Sequence, residues 1–189
     1  MRLMLQRGPE ESAGHEATRL MGCIITNSAE AYAALDALYV GLKVGGGFFR
    51  GRKMSAEIDQ LTRYELVGYI TALTTILVRD ALRDPDEVDS IVGALEALVF
   101  LPEWHAARPP YQRYVARYRD ISPGDSAVLP RQKVLLILFR QTLIDTWSVS
   151  PELLLEDGLV QRFCEALSTL HDRVEESLLK ELSNSTHDW

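Results

Sequence analysis

Asp84–Val99, DPDEVDSIVGALEALV, is the stretch whose reading decides the fold. Asp84 is placed to cap free backbone amides, and Pro85 takes the first helical position, where its missing N–H is no loss. Glu87, three residues after the cap, completes a capping box. Val88, Ile91, Val92, Leu95, Leu98 and Val99 then recur at helical spacing on one face. The acidic run Asp84, Asp86, Glu87 and Asp89 resembles the opening of a calcium loop. However, Asp89 stands where that loop needs glycine and Leu95 where it needs glutamate, so helix capping accounts for the acids.

The same pattern extends towards the N-terminus. Ser55 caps a long helix that carries Leu66, Tyr69, Ile70, Leu73, Ile76 and Leu77 at helical spacing. Before it lies Lys43–Lys53, KVGGGFFRGRK, in which Gly45, Gly46 and Gly47 end the preceding helix because glycine loses most backbone entropy there and takes left-handed caps readily. That preceding helix is expected to start at Asn27, with Glu30 closing a capping box and Tyr32, Leu35, Leu38, Tyr39 and Leu42 on its inner face. Residues 1–21 mix Gly8, Pro9 and Gly14 with glutamates in no period, so they read as a flexible N-terminal arm to a single helical domain over 22–189.

Towards the C-terminus, Pro102 opens a short segment that Pro109 and Pro110 interrupt, after which Tyr111, Tyr114, Val115 and Tyr118 resume helical spacing. Ser122, Pro123, Gly124 and Asp125 form a turn. From about Leu129 through Val134–Phe139 the chain is apolar on all sides, which predicts a central helix. Ser150 and Pro151 open a last helical region, broken at Gly158, with Phe163, Leu167, Leu170, Val174 and Leu178 inward. No sustained period-two alternation and no fixed repeat is present, so the expected fold is all-α, a single irregular bundle of about six helices.

Composition bounds the function. With 189 residues, 47% hydrophobic and 25% charged, the chain has enough apolar surface for one core. A formal charge of -7 opposes general binding to nucleic acid or anionic membranes, which need clustered positive charge. Cys23 and Cys164 lie far apart without a C-x-x-C partner, so neither a disulfide framework nor structural zinc is expected, and a cytoplasmic setting fits. The longest uninterrupted apolar run, Val134–Phe139, is too short to span a bilayer, and no export signal precedes it.

Catalytic motifs fail one by one. Gly46 and Gly51 have the spacing of a phosphate-binding loop, but Arg52 and Lys53 replace its lysine and hydroxyl residue, and a helix rather than a strand precedes it. Gly124, Asp125 and Ser126 spell an esterase-like G-D-S, yet they fit a turn in which Ser126 caps the next helix. His171 and Asp172 form a His-Asp pair without a plausible upstream histidine and later aspartate, so they read as a solvated helix face; His15, His105 and His187 lack metal-ligand spacing. No Glu-x-x-His is present for a di-iron bundle.

What remains are surfaces. Phe48 and Phe49 with Arg50, Arg52 and Lys53 form a candidate anchor for an anion or an acidic partner. Trp104–Lys133 carries a formal balance of +4, with Arg113 and Arg117 one turn apart opposite the tyrosine stripe. Ser150–Trp189 holds nine acids against three bases, a counterpart able to pair with a second copy or a cationic protein. The sequence thus leads to a non-enzymatic protein-protein interaction protein of adaptor, inhibitor or immunity type, with no cofactor or metal. The alternative is a small-molecule-binding helical regulatory domain without a recognisable DNA-binding motif, its pocket lined by Tyr69, Trp104, Tyr114 and Trp147.

Overall fold

The computed structural model describes residues 9–44, 53–121, 131–149 and 158–185. Within them lie six α-helices, α1 (Pro9–Val44), α2 (Ala56–Ala81), α3 (Pro85–Val99), α4 (Arg108–Asp120), α5 (Arg131–Thr146) and α6 (Leu159–Ser185). A 3-10 turn, Pro102–Ala107, leads into α4, and the described residues contain no strand. The expected all-α bundle is therefore what the chain forms, and no described helix is long and apolar enough to cross a membrane.

The caps at Ser55 and Asp84 stand where expected: Ser55 Oγ accepts from the Ile58 amide and the Asp84 carboxylate from the Asp86 amide, with Pro85 in the first turn. The first helix differs. It begins at Pro9 and runs through Gly14, Gly22 and Asn27 without a break. Its inner stripe of Ala13, Ala17, Leu20, Ile24, Ala31, Leu35 and Tyr39 is rich in alanine, which carries a core-facing period with little hydropathy signal. Gly14 and Gly22 have open space around them, so each costs about 1 kcal/mol of helix propensity and disturbs no packing. Asn27 is buried mid-helix, where its amide donates to the Cys23 carbonyl at 2.9 Å and to Ser177 Oγ at 3.2 Å, tying α1 to α6 rather than capping a helix.

The central helix is α2, which touches every other described element. Each residue from Glu65 to Val78 is buried. Its threonines are buried without cost in unpaired groups, because the Thr71 hydroxyl donates to the Val67 carbonyl at 2.7 Å and Thr74 to Ile70 at 2.8 Å, so these polar atoms are satisfied within the helix. Gly68 lets α4 approach so closely that an added β-carbon would stand 2.6 Å from Pro110 Cβ. By contrast α5, read as central from its apolar run, buries Leu135, Leu136, Phe139 and Leu143 but leaves Ile137 46% exposed. It lies on α2, α4 and α6 as an outer layer.

The core continues through Trp147, which is fully buried, meets Tyr39 and Phe163 edge-on, and donates from Nε1 to Thr62 Oγ1 at 2.9 Å. Just beyond it α5 closes with Ser148 in the left-handed region at φ 49°, the Ser148 amide donating to Asp145 and the Val149 amide to Ile144. This pair of bonds is a Schellman closure.

Candidate functional site

Of the residues singled out as partner-binding, Phe48, Phe49, Arg50 and Arg52 lie outside the described residues, as do Gly124, Asp125 and Ser126. Lys53 and Arg117 are exposed. Arg113 turns back onto Glu65, a buried carboxylate of α2, at 2.5 and 2.7 Å. The tyrosine face opposite points inward, and each hydroxyl donates to an acid. Tyr111 bonds Glu96 of α3 at 2.6 Å, Tyr114 bonds Glu65, and Tyr118 bonds Asp80 of α2 at 2.9 Å. Burial first, then the acidic partner, pushes Tyr111 up to about 12 and Tyr114 well above its ordinary value. The aromatic and basic interleave of α4 is thus largely spent on the protein's own carboxylates. Lys133 with Asp172 and Arg19 with Glu181 likewise join basic residues to the acidic C-terminal helix within one chain.

A groove of about 380 Å³ opens between α1, α2 and the 3-10 turn. Met21, Ile24 and Ile25 of α1 form one wall, Leu66 and Val67 of α2 the other, and Trp104 one end. Tyr64 holds Trp104 in place edge-on, with ring centroids 6.2 Å apart. Polar atoms are few and localised. The buried Ser28 Oγ faces no hydrogen-bond partner, and Arg63 lies with its guanidinium carbon 3.7 Å over the Tyr32 ring. Asp59 anchors both, accepting from Arg63 Nε at 3.0 Å and from the Tyr32 hydroxyl; these two bonds, Arg63's foremost, hold the Asp59 carboxyl below the usual carboxylate range.

Four aromatics were expected to line a pocket. Only Trp104 does so, whereas Tyr69, Tyr114 and Trp147 are packed in the core at 0% exposure. Most of the α1 lining was missed because the helix was expected to start only at Asn27, which left Ile24 and Ile25 outside any helical face and Met21 in the arm. A usable signal was present in MGCII, residues 21–25, where Ile24 continues the period of Ala13, Ala17 and Leu20.

A second constellation centres on His171, expected on a solvated face and found fully buried. Its Nδ1 lies 2.5 Å from the Tyr69 hydroxyl, and Tyr69 stacks flat on Phe139 with centroids 4.3 Å apart. Burial, and next the Lys133 charge, depress His171 to about 4, so the ring is neutral near pH 7. Burial raises Glu175 above the ordinary glutamate value, and burial with the charges of Glu175 and Asp172 raises Tyr69 well above 10.

No family model, curated protein or solved structure matches the chain.

Proposed function

We propose that the chain is a non-enzymatic binding protein whose α1–α2 groove takes an amphipathic small molecule with an apolar body and one acceptor-bearing end. The observation that supports this most is the groove's composition: carbon-rich walls with an unpartnered Ser28 hydroxyl and the Arg63 guanidinium grouped within them. Its volume of about 380 Å³ falls in the range of small-molecule sites, roughly 300–1,000 Å³. Ligand carbon displaces water from Ile24, Leu66 and Val67, while a carboxylate, sulfonate or carbonyl accepts from Ser28 and from guanidinium N–H groups not directed at Asp59. A cytoplasmic setting accords with this reading, since Cys23 and Cys164 are both free thiols.

A second reading is the adaptor, inhibitor or immunity-type protein that engages a protein partner. Ile25 favours it, being 57% exposed on the groove wall, where a partner's apolar side chain can enter.

Titration of the chain with anilinonaphthalene sulfonate, an apolar fluorophore carrying an anionic group, separates the two. The small-molecule reading expects saturable one-to-one binding, weakened about tenfold or more when Ala29→Trp fills the groove, and several-fold by Arg63→Ala. Binding that Ala29→Trp leaves unchanged overturns it. Capture of a host protein that is lost in Ile25→Glu, without saturable probe binding, supports the adaptor reading instead.

A further inference from the structure

His171 Nε2 is a buried ring nitrogen that makes no hydrogen bond. It lies 3.4 Å from Glu175 Oε2, one helical turn along α6, and Asp172 brings a second carboxylate so that the three donor atoms all lie within 4.8 Å of one another. We propose that His171 Nε2, Asp172 and Glu175 form a binding site for a divalent transition metal ion of the zinc type, a site independent of the α1–α2 groove.

Four features of the cluster support it. The separation of Nε2 and Oε2 is long for a hydrogen bond, yet two donors on one tetrahedral zinc, each at about 2.0–2.1 Å, sit roughly 3.3 Å apart. The ring is already oriented: Tyr69 holds Nδ1 from α2 and is itself fixed by Phe139, as the outer partner of a metal-bound histidine should be. Metal binding selects the tautomer in which Nδ1–H donates to the Tyr69 oxygen and Nε2 presents its lone pair. The donor set of one imidazole and two carboxylates also suits zinc, manganese, iron or cobalt better than calcium or magnesium, which favour oxygen alone. Finally, the carboxylates reach solvent, since Asp172 and Glu175 line a surface depression with Glu176, Leu179, Lys180 and Ser183, so water can complete the coordination. Three protein donors with an open position are the arrangement of an accessible zinc site rather than a closed structural one.

Lys133 is the competing cation. Its ammonium donates to Asp172 from α5, and an arriving metal ion takes that carboxylate from it.

The test is titration of the full chain with Zn²⁺ by calorimetry and with Co²⁺ by its visible d–d absorption. One ion per chain is expected. Asp172→Asn and Glu175→Gln change side chains that reach the surface and so leave the fold intact, which circular dichroism checks; each is expected to weaken binding about tenfold or more. Lys133→Met is expected to tighten it several-fold, whereas a contact of purely structural value would gain nothing from that loss. Absence of uptake by the full chain, uptake unchanged in Glu175→Gln, or weaker uptake in Lys133→Met overturns the site. Binding that persists in the Asp172→Asn, Glu175→Gln double variant belongs to surface histidines such as His15 or His105 and overturns it equally.

Discussion

Gly68 of α2 and Pro110 of α4 are packed so closely that the space for a side chain at position 68 is already filled. A β-carbon there would meet Pro110 Cβ at 2.6 Å, and the Ala107 carbonyl and Tyr111 amide at 2.8 Å. Two of these three neighbours are backbone, so relief requires the helices to move apart. Gly68→Ala is expected to lower stability by about 1–3 kcal/mol despite alanine's better helix propensity. Urea denaturation of the variant against Gly93→Ala, where nothing lies within 4 Å, checks it: Gly93→Ala should be neutral or stabilising.

Arg113 and Glu65 carry the next expectation. Glu65 is 6% exposed and its carboxylate accepts from both Arg113 and Tyr114. Arg113→Met leaves that buried acid with a single donor, so a loss of about 1–3 kcal/mol is expected. Arg117→Met, at an exposed position on the same helix, should change stability by less than about 0.5 kcal/mol. Equal effects in denaturant titrations of the two variants would remove the structural role of the Arg113 pair.

Ser148 is a non-glycine residue at φ 49° in the closure of α5. Ser148→Gly relieves the left-handed penalty while keeping both backbone bonds, and is expected to raise stability by about 0.5–1 kcal/mol. A midpoint unchanged or lowered in thermal unfolding would contradict this.

Alkaline pH reports on Tyr111. Burial and the Glu96 carboxylate raise its folded value to about 12 from an ordinary 10. The folded state therefore binds the phenolic proton more tightly than the unfolded one. Its contribution is fully present below pH 10 and is lost as pH rises towards 12, on the order of 2–3 kcal/mol in all. Absorbance titration of phenolate should show Tyr111, with Tyr69 and Tyr114, ionising only together with loss of helical circular dichroism. Tyr111→Phe should flatten the stability curve between pH 10 and 12.

How much of this was legible in the sequence varies by element. The caps at Ser55 and Asp84 and the stripe Val88, Ile91, Val92, Leu95 and Val99 were read correctly, because a cap and a helical period are satisfied by residues within a few positions of each other. The N-terminal part of α1 was missed because alanine writes its period faintly and because two glycines look like breaks. Trp104 was named as a pocket residue, but the α1 wall opposite it was not.

The sequence by itself determined that the chain is helical, where two of its helices begin, at Ser55 and Asp84, and that its charges divide into a basic middle and an acidic end. Only the tertiary structure decided which helix is central, since α2 earns that place through Gly68 and through threonines that satisfy themselves. It alone also decided that His171 is buried, for its ring is held by Tyr69, 102 residues away in the chain. Periodicity states which residues share a face, not which faces meet. The environment of a polar group such as Glu65, Asn27 or His171 is set by partners on other helices, and those partners are assigned only when the chain is packed.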